Sequence, residues 1–187
     1  MNLIKNFSAW VKAITESSKN KYEYGCAMIF YSCPEIYKMQ DAINPNDIYT
    51  EEGDNSYGLE DEPHTTLLFG FHREVDADDV LELCNKFNYS EDLILTNVSC
   101  FNNEKYDVLK FDVESPVLHR VNSKLKSHFA NQYTSNFPDY HPHCTIGYIK
   151  KGKGQHYVDL FKDLEFVVLA NSLVYSMPSG KRIISPI

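Results

Sequence analysis

The sequence predicts an α+β protein with two antiparallel β-lobes, and three observations support this. Strand and helix patterns alternate irregularly and include hairpins, which is typical of an antiparallel α+β fold. The pattern Pro-His-x-Thr-aliphatic occurs twice, as PHTTL at 63–67 and as PHCTI at 142–146. With 187 residues, the chain is long enough for one ordinary domain and short for two independent ones. The repeat therefore predicts two lobes, related by an approximate two-fold axis, within one domain.

The segment before the first motif predicts two helices, a strand and a loop. Apolar residues at helical spacing predict an amphipathic N-terminal helix within residues 1–21. The aromatic and apolar run at 22–32 predicts a strand, and a helix at 34–43 begins with proline, which is favoured at the first helical position. Residues 44–63 are rich in Asn, Asp, Glu and Gly and predict a long loop, and loops of that length are often functional.

The centre of the chain predicts a motif strand, a helix and a hairpin. The first motif predicts a strand at 64–71, and the pattern after it predicts a helix at about 76–87. The β-prone runs at 93–101 and 106–114 flank the sequence NNEK, whose polar residues are typical of a turn. A β-hairpin is the expected structure of this region.

The last third of the chain repeats the alternation around the second motif. A helix is expected to begin after Pro116 and to run to about Phe129, and the second motif predicts a strand at 143–149. The tail predicts a short helix at 155–163 and strands at 165–170 and 172–177, followed by the turn sequence PSGK. No shift in composition marks a domain boundary.

Charge and composition exclude several classes of protein. A net charge of −8 argues against binding of long nucleic acid, because that affinity comes mainly from neutralising many phosphates. A small anionic ligand remains compatible with it. No apolar run reaches the ~20 residues of a membrane span and no secretory signal is evident, so we expect a cytoplasmic protein without membrane contact. Five scattered cysteines, an odd number, fit free thiols in a reducing compartment.

The repeated motif carries the chemistry. Successive side chains of a strand point to opposite faces, so His64 and Thr66 share one face, as do His143 and Thr145. If the two strands adjoin, one neutral imidazole can take a proton from an attacking oxygen while one protonated imidazole gives a proton to the leaving oxygen. The threonine hydroxyls can donate to non-bridging phosphate oxygens. This arrangement for displacement at phosphorus needs no metal and no other cofactor.

Structural explanations compete with this interpretation. A single His-x-Thr on a strand is explained well enough by a half-buried histidine bonded to backbone, but two copies in the same context favour a joint function. His141 and His143 form a His-x-His pair, yet a metal site usually needs three or four ligands, and no Cys, Asp or His nearby has suitable spacing. We therefore expect no metal.

The two motifs, HTTL at 64–67 and HCTI at 143–146, resemble the paired H-x-T-aliphatic motifs of the two-histidine (2H, LigT-like) phosphoesterase superfamily. The resemblance implies a single domain over residues 22–187, with two antiparallel sheet lobes flanked by helices around a central cleft. It also implies a metal-independent phosphoric diester hydrolase. In that family the two histidines are the acid–base pair and the threonines bind phosphate, which assigns these roles here to His64, His143, Thr66 and Thr145.

Three further stretches are similar to one branch of that superfamily. ESSKNKYEYGCAMIFY, DIYTEEGDNSYGLEDEPHTTLLFG and YSMPSGKRI look most like the phage anti-CBASS phosphodiesterases. Those enzymes degrade cyclic di- and trinucleotide signals such as 3′,3′-cGAMP and so prevent a bacterial immune response. The resemblance implies cleavage of 3′–5′ bonds in such signals, in the host cytoplasm if a phage encodes the chain.

Other residues are candidates for substrate contact. Tyr24, Phe101 and Tyr148 could stack on nucleobases, although core packing is the more common role of aromatic residues in strands. Lys150 and Lys181 could neutralise phosphate, or they could be solvated surface charges.

Two other functions stay open at this point. The same chemistry could act on RNA ends with 2′,3′-cyclic phosphate or on 2′–5′ oligoadenylate, and a non-cleaving sponge could bind a cyclic nucleotide. Retention of both histidines and both threonines counts against a sponge, since binding alone needs no proton transfer. The sequence does not distinguish the acid from the base, and it leaves open the base preference, a lid function of the loop and the oligomeric state, for which a monomer is expected.

Overall fold

The computed structural model describes residues 22–90, 93–135 and 139–187, and the structural statements below concern these ranges. The expected amphipathic helix within residues 1–21 lies outside the described residues. Within them the chain forms eight β-strands, four α-helices and one short 3-10 helix.

The strands build two antiparallel sheets of four strands each, and the predicted α+β fold class is confirmed. The sheet called here the N-lobe sheet has the order β2-β1-β7-β8, and the C-lobe sheet has the order β5-β4-β3-β6. In chain order the strands are β1 (Gly25–Tyr31), β2 (His64–Phe71), β3 (Leu93–Asn102), β4 (Tyr106–Glu114), β5 (His143–Lys150), β6 (Phe166–Val168), β7 (Ala170–Ser176) and β8 (Arg182–Pro186).

The helices pack against these sheets and follow the start signals expected from the sequence. They are α1 (Pro34–Asp41), α2 (Ala77–Cys84), α3 (Pro116–His128) and α4 (Gly154–Phe161), with the 3-10 helix at Pro45–Asp47. Proline opens α1 and α3, where its missing N–H costs nothing, and the Asp76 carboxylate caps α2 by accepting from the backbone N–H of Asp78. None of the described helices is long and apolar enough to cross a bilayer.

The two motif strands hold equivalent places in the two sheets. β2 lies at the edge of the N-lobe sheet beside β1, and β5 lies at the edge of the C-lobe sheet beside β4. Each histidine is the first residue of its strand, with His64 opposite Phe30 and His143 opposite Asp112. This is the approximate two-fold arrangement that the repeated motif predicted.

The middle residues of the two motifs meet in the core. The Tyr31 hydroxyl lies 3.1 Å from Thr65 Oγ1 and also interacts with the thiol of Cys144. All three residues are buried. Because neighbouring side chains on a strand alternate in direction, this contact fixes where the histidines and threonines on either side of Thr65 and Cys144 can point.

The long loop at 44–63 is ordered along the edge of β5. Ile48 bridges to Ile149, and Leu59 bridges to Gly147. The Gln40 side chain of α1 donates to the backbone carbonyls of Glu60, at 2.6 Å, and Ile146, at 2.9 Å. The loop therefore covers the β5 edge that β4 leaves unpaired, which limits edge-to-edge pairing with other chains.

Candidate active site

His64 begins β2 and is held on three sides. Its Nδ1 lies 2.7 Å from the backbone carbonyl of Glu62, and its ring stacks on Phe30 with centroids 5.1 Å apart and an interplanar angle of 20°. The Glu60 carboxylate lies 3.9 Å from the same nitrogen, in position to pair with a protonated imidazole. Since a carbonyl only accepts, Nδ1 carries the hydrogen and Nε2 is left for a ligand.

His143 begins β5 and is held in the same way. Its Nδ1 lies 2.9 Å from the backbone carbonyl of His141, again two residues before the histidine. Phe101 meets the imidazole edge-on, with centroids 4.9 Å apart. Both histidines therefore use Nδ1 for a backbone contact and have Nε2 as the nitrogen that can exchange a proton with a substrate.

The electrostatic surroundings of the two histidines differ. Burial lowers the pKa of His143 from its ordinary 6.5, and the charges of Lys110 and His64 lower it further. The His141 carbonyl and the Asp112 carboxylate act in the opposite direction. His143 is therefore mostly neutral at pH 7, and the effect of His64 on its pKa shows that the two imidazoles lie near each other.

The two threonines follow the histidines on the same faces, and both are half-buried. Thr66 Oγ1 lies 3.9 Å from Cys26 Sγ. The backbone carbonyl of Thr66 accepts a hydrogen bond from the Tyr140 hydroxyl at 2.9 Å. Thr145 lies opposite Lys110 in the β4–β5 register. Strands β2 and β5, which carry the four motif residues, contact each other, and His64 is close enough to His143 to affect its pKa. The catalytic roles of the four residues stay predictions.

Lys110 and Asp112 of β4 are neighbours of this site that sequence reasoning missed. Lys110 lies opposite Thr145, and Asp112 lies opposite His143. The Lys110 ammonium donates to the Asp112 carboxylate and to Ser99 Oγ, the latter at 2.8 Å. A lysine and an aspartate inside the otherwise apolar run VLKFDV were a possible signal, because a buried charge in a central strand needs a reason.

The predicted aromatic contacts lie at different distances from the histidines. Phe101 is a direct neighbour of His143 and is 38% exposed. Tyr148 instead packs against Tyr57 and Tyr106, with ring centroids 5.3 and 5.4 Å away, farther along β5. Tyr24 is not brought to the histidines, because its ring contacts Phe69 and His72 at the other end of β2.

The predicted lysines are not direct neighbours of the histidines either. Lys150 Nζ donates to the backbone carbonyl of Asn46 at 2.7 Å. Lys181 is exposed next to the turn between β7 and β8. Its neighbour Arg182, which was not predicted, pairs with the Glu62 carboxylate and lies over the Phe30 ring at 5.9 Å. Arg182 thereby touches two residues that hold His64.

Among the described residues, no three His, Cys, Asp or Glu side chains lie close enough together to hold a metal ion. All five cysteines fall within the described ranges and are free thiols. A pocket of about 410 Å³ adjoins Phe30 and Glu62, and one of about 530 Å³ lies along α3 beside Phe87 and Lys124. Neither pocket is lined by His64 or His143, so the candidate site is identified by its chemistry rather than by cavity size.

Known structures share this fold. Usb1 of Kluyveromyces marxianus superposes with a TM-score of 0.55 at 11% identity, over 89% of this chain and 99% of that one. The structure of the same protein with uridine monophosphate has a TM-score of 0.52 at 12% identity, and the match covers 92% of this chain and 100% of that one. The protein TT0787 of Thermus thermophilus has a TM-score of 0.51 at 14% identity, and the match covers 88% of this chain and 94% of that one. At these identities the likeness concerns the fold alone.

The sequence itself matches a family. A comparison with curated proteins finds no significant match. The family described as the 2′-5′ RNA ligase superfamily matches residues 35–168, which contain both motif strands and Lys110. The chain therefore belongs to the 2′-5′ RNA ligase superfamily, which makes it an enzyme of the two-histidine (LigT-like) phosphoesterase class, as the sequence predicted.

Proposed function

We propose that the protein is a metal-independent phosphodiesterase in which His64 and His143 transfer protons at one phosphorus atom while Thr66 and Thr145 bind its oxygens. The observation that carries this proposal is the matched pair of imidazoles, each with Nδ1 fixed by the carbonyl two residues earlier. That pairing leaves two Nε2 atoms on edge strands of the two sheets that contact each other, and acid–base catalysis at a phosphodiester requires two such proton-transfer groups.

The unequal surroundings of the histidines assign the base and the acid in this proposal. Neutral His143 takes the proton of a ribose 2′-hydroxyl, whose oxygen forms a bond to the adjacent phosphorus. The bond from phosphorus to the 5′-oxygen breaks, and His64, paired with Glu60 in its protonated form, gives that oxygen a proton. The products are a 2′,3′-cyclic phosphate and a 5′-hydroxyl. Water then attacks the cyclic phosphate with the roles reversed, which gives a 3′-phosphate and restores both histidines.

For the substrate we propose cyclic di- or trinucleotide signals such as 3′,3′-cGAMP, cleaved at 3′–5′ bonds in the cytoplasm to evade CBASS defence. A cyclic dinucleotide carries only about two charges, so stacking can replace a long basic groove. An acidic chain with exposed aromatic rings such as Phe101 suits such a ligand better than long nucleic acid. The proposal includes a single domain at 22–187 that acts as a monomer.

The second candidate is action on RNA ends or on 2′–5′ linkages. It is favoured by the fold likeness to Usb1, one structure of which contains uridine monophosphate. The proton transfers would be the same, and only the groups that hold the bases would differ.

One experiment separates these functions. The protein is incubated in excess EDTA with cyclic dinucleotides, cyclic trinucleotides, 2′–5′ oligoadenylate and 2′,3′-cyclic mononucleotides, and products are followed by chromatography. We expect fastest turnover of a cyclic di- or trinucleotide, unaffected by EDTA. Fastest turnover of a cyclic mononucleotide or of oligoadenylate would support the second candidate, and tight binding without turnover would indicate a sponge. Activity abolished by EDTA would contradict the metal-free mechanism.

The pH dependence of kcat/KM tests the assignment of the base. Below its pKa His143 is protonated and cannot accept a proton, so activity falls as the pH falls. Because burial, Lys110 and His64 lower that pKa, the acidic limb should have its midpoint below 6.5. Changing Asp112 to Asn removes the carboxylate that acts in the opposite direction and should move the midpoint to lower pH. A wild-type midpoint above 6.5 would contradict the assignment of His143 as the base.

A further inference from the structure

A cation of the C-lobe sheet lies beside the phosphate-binding threonine of the proposed site. Lys110 and Thr145 are opposite each other in the antiparallel β4–β5 pair, so their side chains share a face of the sheet with His143. Directly opposite residues have Cβ atoms about 4.5–5.5 Å apart. The Lys110 ammonium also lowers the pKa of His143, as expected for a nearby positive charge.

The Lys110 ammonium is buried and fixed. Lys110 is 5% exposed, and lysine is almost never buried so deeply without a partner. Within the described ranges, Ser99 and Asp112 accept two of its three N–H groups, and the Phe101 ring centroid lies 4.6 Å from Nζ. The third N–H has no oxygen acceptor among the described contacts, so it can donate to a ligand.

The network behind Lys110 includes a residue in an unusual conformation. Asn97 donates its side-chain amide to Asp112, and it is the only described non-glycine residue with positive φ, at +48°. It lies where the β3–β4 register shifts between Thr96 and Ser99. Bulges of this kind re-aim side chains next to active sites. Here the bulge brings the Asn97 amide to the carboxylate that holds Lys110.

In the part of the chain that the structure describes, the N-lobe half of the site has no cation at the equivalent place. Met28 lies opposite Thr66, and Phe30 lies opposite His64, in the places that Lys110 and Asp112 occupy in the C-lobe sheet. The two motifs are therefore related by approximate symmetry, but, among the described residues, the charged residues opposite them are present only in the C-lobe sheet.

Several other cations of this region are paired, as Lys110 is, but their side chains are much more exposed than that of Lys110. Lys105 pairs with Glu51, Lys151 pairs with Asp107, Lys150 donates to a backbone carbonyl, and Arg182 pairs with Glu62. A buried ammonium also interacts more strongly with a phosphate than a solvated one, because the effective dielectric constant around it is lower.

We propose that Lys110 is the anion-binding cation of the site, and that it donates to a non-bridging oxygen of the substrate phosphate on the Thr145 side. Asp112 and Asn97 position the ammonium. The inference rests on the proposed function for the identity of the phosphate ester, but binding of an anion at Lys110 requires no turnover. The site then binds phosphate asymmetrically, because the positive charge of Lys110 lies next to His143, the histidine assigned as the base.

Binding of inorganic phosphate, followed by NMR shifts of the histidine ring protons, tests this directly. The double variant Lys110→Met/Asp112→Asn removes both charges, so that neither is left buried alone. We expect phosphate to bind it about 10- to 100-fold more weakly than wild type, in line with the loss of one charge-assisted hydrogen bond. Lys86→Met, just after α2 with Glu82 as its partner, is the matched control and should bind as wild type.

Wild-type affinity in the folded double variant would overturn the inference. If the double variant does not fold, the wild-type protein decides: in crystals soaked with phosphate, an oxygen should lie within hydrogen-bond distance of Lys110 Nζ. Phosphate bound elsewhere would overturn the inference. Phosphate bound through Lys110 in a protein that cleaves no substrate of the panel would support it while contradicting the proposed function.

Discussion

Replacing either motif histidine by alanine is expected to lower turnover by about 10²-fold or more, which is the usual contribution of a positioned general acid or base. The loss corresponds to about 2.7 kcal/mol of transition-state stabilisation. Thr66→Ala and Thr145→Ala should each cost less, because a hydroxyl shares the phosphate charge with other donors. Initial rates on the best substrate of the panel measure all four variants.

The physical reason is the fixed orientation of both imidazoles. The carbonyls of Glu62 and His141 hold Nδ1 of His64 and His143, so each ring is already turned towards the substrate before binding. Alanine removes the proton carrier without supplying another. Since the base and the acid act in one step, the double variant His64→Ala/His143→Ala should be little slower than the slower single variant.

A matched control is His156→Ala, in α4, whose exposed ring packs only on Tyr157 among the described contacts. It should keep wild-type turnover. If a folded protein lacking both motif histidines cleaved substrate at the wild-type rate, the acid–base proposal would be wrong.

Local patterns predicted most elements of this fold, and the exceptions depend on distant pairing. The hairpin at 93–101 and 106–114 corresponds to β3 and β4, because its turn and alternation are local signals. Strand β8 was not predicted, because a five-residue edge strand that ends in proline has a weak local signal, and pairing with β7 stabilises it. The two tail strands were found at 165–170 and 172–177, but no local pattern indicates that they belong to different sheets.

The residues of the candidate site also divide into those that a local pattern predicts and those that depend on distant pairing. His64 and His143 were found because a repeated motif is visible in the sequence alone. Lys110 was missed because its importance depends on facing Thr145, which is a property of the register between β4 and β5. Tyr24 was chosen for its place at the start of a strand, but β1 runs antiparallel to β2, so Tyr24 meets the end of β2 that lies away from His64.

Gly70→Ala is expected to destabilise the protein by about 2–4 kcal/mol, from backbone strain and from lost hydrogen bonds. Gly70 has φ of +105°, and a Cβ there would lie 1.8 Å from the carbonyl oxygen of Thr134. The backbone at Gly70 or at Thr134 must therefore move. This movement weakens two hydrogen bonds of 2.9 Å, one from the Thr134 N–H to the Gly70 carbonyl and one from the His72 N–H to the Gln132 carbonyl. Urea unfolding measures the change.

Gly152→Ala is a control that distinguishes the cost of backbone strain from the cost of the steric clash with Thr134. Gly152 also has positive φ, +78°, but a Cβ there would meet nothing within 4 Å. Its cost should be about 1–2 kcal/mol, from the left-handed conformation alone. Because Gly70 lies near the end of β2 away from His64, the folded fraction of Gly70→Ala should keep most of its activity. Equal destabilisation by the two substitutions would mean that the segment at Thr134 does not pack on β2, and the edge of the N-lobe sheet would have to be reassigned.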